Sequence, residues 1–187
     1  MKKKPTRFSL RRLNAVITGL ILILFLIHAM FGVFQMLGAA GTWHKRIAGF
    51  SSGLIVIHLI IGIKLTADTL KVQRRTGTAY FKENRLFWAR RISGVAVMIL
   101  LFFHMAAFTT AVEGQTRLVW FNGYSLLFQI FFVLSLALHI ISNVKPLLIS
   151  FGVSRLKELS FDILFVLSIL MLVMTAGFIV YYFRWNG

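Results

Sequence analysis

The chain has 187 residues, 58% of them hydrophobic and only 14% charged, whereas soluble domains carry about 25% charged residues. Apolar runs of about twenty residues recur, the length needed to cross a bilayer, so an ordinary water-soluble fold is excluded. The formal charge of +16 comes from 21 Lys and Arg against 5 Asp and Glu. These basic residues sit in short loops beside apolar runs, which points to membrane topology and lipid headgroups and not to nucleic acid. The absence of cysteine removes disulfides and cysteine-held cofactors from this chain.

In chain order, residues 1–13 are basic, with Lys2, Lys3, Lys4, Arg7, Arg11 and Arg12. A first apolar segment is expected at 14–37. It is longer than the 7–15-residue core of a secretory signal, so it is expected to stay as an anchor. Further spans are expected at 47–68, 91–111, 124–144 and 161–183. None contains a proline, and Pro146 falls just past the fourth, where it is expected to help end the helix. The basic residues gather at the N-terminus and in the loops 70–91 and 145–159. By the positive-inside rule the N-terminus is cytoplasmic and the C-terminus lies outside. The expected architecture is therefore a single all-α membrane domain over residues 1–187, a five-helix bundle in the cell's inner membrane. NRLFWARR, at the end of the longest cytoplasmic loop, mixes basic and aromatic residues and suits an interfacial turn of helix.

Four of these segments each place one histidine in hydrocarbon: His28, His58, His104 and His139. Unpaired polar groups there cost several kcal/mol, so each needs a partner. His28 follows Arg12 by sixteen residues and His104 follows Arg91 by thirteen, which puts both roughly 20–24 Å from the cytoplasmic charges. The second and fourth segments run the other way and share a pattern, HLIIGIK and HIISNVK. Each histidine there lies roughly 9 Å above a lysine, Lys64 or Lys145. Two levels result, about 13 Å apart, with His28 and His104 on the outer one and His58 and His139 on the inner one.

Two histidines facing each other at one depth are what a six-coordinate haem iron requires. Gly32 and Gly62, each four residues after a histidine, leave room for a flat macrocycle on the histidine's face, although glycine equally serves close packing of membrane helices. A single buried histidine is readily explained by an interhelical hydrogen bond; four at matching depths are not. Zinc sites gather four ligands at one point, which two separate depths do not provide. His44, beside Lys45 and Arg46 at the outer boundary, is expected to be solvated.

RRLNAVITGLILILFLIH, RRISGVAVMILLFFH and LHIISNVKPLLISFGVS together resemble the type B, two-haem cytochrome b subunit of succinate dehydrogenases and fumarate reductases. The likeness covers nearly the whole chain, including a fifth helix without histidine. It implies two b haems, with His58 and His139 as ligands of the proximal haem iron and His28 and His104 of the distal one. It also implies flavoprotein and iron–sulfur partners on the cytoplasmic side, and electron exchange with a quinone, expected to be menaquinone. On that likeness the chain is an electron-transfer subunit that does not itself catalyse the dicarboxylate step. Family members with outer quinone sites tend to use a carboxylate near the outer edge, and here only Glu113 fits.

Anionic propionates call for basic partners at the interfaces. The inner candidates are Lys64, Arg90, Arg91 and Lys145, with Lys64 foremost; the outer ones are His44, Lys45 and Arg46. Ser93 and Asn143 are candidate contacts for a propionate or quinone, and a bond to backbone would explain each of them equally well. Two rival readings stay open. One is a di-haem cytochrome serving a different dehydrogenase or reductase, and the other is a small non-redox transporter whose histidines relay protons.

Overall fold

The computed structural model describes residues 9–37, 43–77, 84–109, 121–153 and 155–186. They form five helices: α1 (Leu10–Met36), α2 (Trp43–Thr76), α3 (Arg85–Thr109), α4 (Gly123–Ser150) and α5 (Leu156–Asn186). All five are long and apolar enough to cross a membrane. The loop that holds Glu113 and Arg117 lies outside the described residues.

The helices run past the expected spans, chiefly at the end of the bundle that carries Arg11, Arg12 and Lys145, called here the basic end. Hydropathy marks the hydrocarbon stretch, whereas helical hydrogen bonding continues into the polar layer. Thus α2, with 34 residues, is about 51 Å long against a hydrocarbon core of about 30 Å, and its last turn carries Arg74 and Arg75. At the start of α3, residues Arg85–Arg91 are continuous with the span, so the basic–aromatic stretch is its first two turns. Ser9 caps α1 by accepting from the Arg12 amide, and Asn122 caps α4 by accepting from the Ser125 amide.

Pro146 does not end the fourth helix; it lies inside α4, which continues to Ser150. The stop is Gly152, whose φ of 75° is a left-handed conformation that glycine adopts without penalty. There the Gly152 amide donates to Ile149 O at 3.0 Å and the Val153 amide to Leu148 O at 3.2 Å, a Schellman closure. Proline inside a helix supplies no N–H for the carbonyl four residues back, which is that of Ser142. Arg90 of α3 supplies the missing donor, its Nε donating to Ser142 O at 2.8 Å.

Lipid competes evenly with apolar side chains, so packing and polar bonds have to hold the helices together. One core joins α1, α4 and α5 through Ala29, Val133, Met171, Met174 and Phe178, with Phe121 against them. A smaller one at the basic end contains Val144, Leu148 and Leu167. Isoleucines and phenylalanines such as Ile60, Ile99, Phe102 and Phe165 point outward, as a lipid-facing surface requires. Hydroxyls inside the spans bond back to carbonyls one turn away, as Ser51 does to Ile47 and Thr175 to Met171.

Helix α2 packs on α1 and helix α3 packs on α4, while α5 lies against α4 and, more lightly, α1. Among the described residues the backbone of α2 comes near only that of α1, and α3 near only that of α4, while side chains reach further, Phe108 of α3 lying 6.2 Å from Phe178 of α5 between ring centres. The bundle therefore consists of two helix pairs, α1/α2 and α3/α4, joined through α1–α4 contacts and braced by α5. All four spans that carry a histidine belong to these pairs.

Candidate cofactor site

Each histidine faces a histidine of the other helix pair. The His28 and His104 rings lie 6.2 Å apart between centroids, with planes turned by 78°. The His58 and His139 rings lie 6.5 Å apart, turned by 80°. All four rings are half-buried.

Three rings are tethered at Nδ1 by a neighbour from the helix packed beside them. His58 Nδ1 lies 3.2 Å from Thr18 Oγ1, and that hydroxyl gives its own proton to Asn14 O at 2.7 Å. His139 Nδ1 lies 3.2 Å from Ser93 Oγ, whose hydroxyl is directed to Arg90 O. His104 Nδ1 lies 2.8 Å from Gln129 Oε1, an oxygen that only accepts. In each case Nδ1 is the protonated nitrogen and Nε2 keeps its lone pair. This is the tautomer and orientation that metal-bound histidines take from their outer-shell partners.

The same tethers fix the depths. Thr18, level with His58, precedes His28 by ten residues; Ser93, level with His139, precedes His104 by eleven; Gln129, level with His104, precedes His139 by ten. Three helices thus agree on two levels about 15–17 Å apart, somewhat more than loop charges suggest. Lysines that snorkel are loose rulers, whereas hydrogen bonds between helices are tight ones.

Gly94 explains the glycine after Ser93. A Cβ placed there would stand 3.2 Å from His139 Cε1 and 3.4 Å from its Nδ1, so only glycine admits the ring without displacing it. At Gly32 and Gly62, as at Gly49 and Gly53, a Cβ would meet nothing within 4 Å.

The other candidate residues separate into two sets. Arg91 lies close enough to the basic-level pair for its charge to act on both His58 and His139. Its guanidinium sits 5.1 Å from the Phe87 ring centre, and its Nε is buried without a hydrogen-bond partner among the described residues. Asn14 Oδ1, one turn before Thr18, is likewise buried without one. Lys64, Lys145 and Arg46 are exposed. Asn143 donates to the carbonyl of His139 at 2.7 Å, the backbone alternative of the two contacts considered for it. Ser93 is spent on His139 and Arg90. The side chains of His44 and Lys45 lie outside the described residues.

Two imidazoles that share one metal through Nε2, with bonds of about 2 Å and ring radii of about 1.1 Å, have centroids about 6.3 Å apart. Both observed pairs fall at that spacing. Edge-to-face ring contacts reach it too, but they do not require Nδ1 atoms tethered at both levels. Among the described residues no three His, Cys, Asp or Glu side chains gather round one point. A metal here would take two protein ligands and bring the others with it, as iron in a macrocycle does. Haem would suit the residues present in spacing, tautomer and an unsatisfied guanidinium nitrogen near the basic level.

Thr18 and Gln129 are site residues that reading the sequence did not identify. Both are polar residues in the first third of an apolar helix, and each stands ten residues before a histidine of that helix. That spacing places a partner beside the histidine of the neighbouring antiparallel helix at the other level.

Neither a protein-family model nor a curated protein nor a solved structure matches the chain.

Proposed function

We propose that this chain binds two b-type haems, one between His28 and His104 and one between His58 and His139. On this reading it is the membrane-anchoring subunit that exchanges electrons between a flavoprotein and iron–sulfur dehydrogenase and the membrane quinone pool. The observation that carries the reading is the pair of histidine couples, 6.2 and 6.5 Å between ring centres, at two depths in one bundle. A proton relay needs neither that spacing nor one tautomer repeated at both levels.

When bound, haem supplies reversible one-electron chemistry. The chain's own residues do the rest. Thr18, Ser93 and Gln129 hold Nδ1 protons so that Nε2 keeps its lone pair for a metal. Gly94 admits the His139 ring at its required position. Arg91 offers a cation for an anionic substituent at the basic level. Lipid-facing side chains exclude water, which favours electron transfer over side reactions.

The choice of partner rests on the resemblance of the RISG and HIISNVK stretches to succinate dehydrogenase and fumarate reductase anchors. The excess of Lys and Arg at the basic end supports that end as the cytoplasmic one, where the dehydrogenase would dock. Expression with ample haem supply should give a low-spin b-type spectrum and about two haems per chain. His58→Ala should remove one haem and leave the other. Intact protein without haem rejects the reading; loss of neither haem in His58→Ala rejects the pairing. Purification together with flavin- and iron–sulfur-containing subunits tests the partner.

A further inference from the structure

Gln129 is an unusual residue for its position. It lies in the second turn of α4 with only 1% of its surface exposed, amid the apolar run LLFQIFFVL. Its Oε1 is 2.8 Å from His104 Nδ1, while its Nε2 is buried without a hydrogen-bond partner among the described residues. A buried amide left half-satisfied in hydrocarbon costs free energy that a leucine of similar size would not. For packing alone, leucine is therefore the better residue. His104 is otherwise held by rings, Phe108 at 4.9 Å and Phe132 at 5.0 Å between centroids, so Gln129 is the polar group that sets its tautomer.

The two levels also differ in kind. At the basic level the Nδ1 acceptors are hydroxyls at 3.2 Å, each already engaged with a carbonyl. At the other level the acceptor is an amide oxygen at 2.8 Å, a stronger and shorter bond. Outer-shell acceptors raise the basicity of a ligating imidazole, and a more basic ligand favours oxidised over reduced iron.

We infer that Gln129 is a positioning residue that, through the Nδ1 proton of His104, holds the His28–His104 metal centre at a lower reduction potential than the same centre would have without it. The inference rests on the haem-binding reading above. The site it adds is a redox-tuning one, a hydrogen bond beyond the ligating ring and supplied by a helix that gives its own histidine to the other level.

The test is a redox titration of the purified, haem-loaded full chain in detergent, comparing the native protein with Gln129→Leu and Gln129→Glu. The step belonging to His28–His104 is identified as the one that vanishes in His28→Ala. Gln129→Leu removes the acceptor and should raise that step by about tenfold in the reduced-to-oxidised ratio, about 59 mV for one electron. Gln129→Glu supplies a charged acceptor at the same reach and should move it the other way. The His58–His139 step should stay in place in both. Equal potentials in all three proteins, or shifts of the same sign in Leu and Glu, overturn the inference. Should the Leu variant lose the haem, the Glu variant decides alone: a lowered step supports tuning and an unmoved one refutes it. Native protein without haem removes the functional reading itself, an outcome distinct from two intact haems whose potentials ignore residue 129.

Discussion

Gly94 and Ser93 act on His139 through opposite means, one by leaving space and the other by filling it with a hydroxyl. Replacing Gly94 by alanine puts a methyl carbon 3.2 Å from the ring, tighter than ordinary contact, so the ring has to move by a few tenths of an ångström. Valine adds two more carbons, and overpacking of this kind costs about 1–3 kcal/mol. If the chain binds two haems as proposed, Gly94→Val lowers the haem-to-chain ratio from two towards one, with the His28–His104 haem retained. Gly94→Ala is expected to keep both and alter the absorption of one. Haem content and low-temperature spectra check this, and equal loss at both levels would show that Gly94 acts on the fold at large. The four histidines themselves were legible in the sequence because a titratable ring in hydrocarbon stands out. Their Nδ1 partners were less so: a threonine or glutamine in a span looks like any small polar packing residue until the neighbouring helix and its register are known.

Helix α4 shows how an element can be misjudged by a rule that is sound on average. Proline usually marks a helix end, yet α4 carries Pro146 one turn inside and stops at Gly152. The rule fails because the carbonyl that Pro146 leaves without an amide donor, Ser142 O, is served from outside by Arg90. From sequence Arg90 is a candidate for topology and for a propionate, since a backbone acceptor on another helix leaves no trace there. The arrangement makes a quantitative demand. Arg90→Ala leaves Ser142 O without its donor and should destabilise the bundle by about 1–3 kcal/mol. Pro146→Ala returns an N–H to the same carbonyl, so the two changes should not add: in the alanine background the Arg90 loss should be smaller by about 1–2 kcal/mol, within the range of direct couplings. Detergent or thermal unfolding of the four proteins of this cycle measures the coupling. Additive costs would mean that Arg90 serves some other group.

At the scale of the whole molecule, five spans could be read from hydropathy alone, but not which helices touch. Among the described residues the backbone of α2 neighbours only α1, and that of α3 only α4, yet these two outlying helices carry His58 and His104. Each points across to the opposite pair, His58 to α4 and His104 to α1. A metal shared by each couple would tie α2 to α4 and α3 to α1, two crossing braces stronger than the ring contacts that span those gaps. Apolar burial cannot make up the difference, because lipid solvates these faces as well as protein does. Binding then adds stability by mass action, about 2.7 kcal/mol per site when free ligand stands at a hundred times its Kd, and adds it mainly to the outlying helices. Protein made under haem starvation should therefore exchange amide hydrogens faster in α2 and α3 than the haem-loaded form does. Helices α4 and α5, held by the Phe178 and Leu167 cores, should change least. Hydrogen exchange in detergent, resolved by segment, reads this directly. A uniform change over all five helices, or none, would show that the bundle holds α2 and α3 without the cofactor.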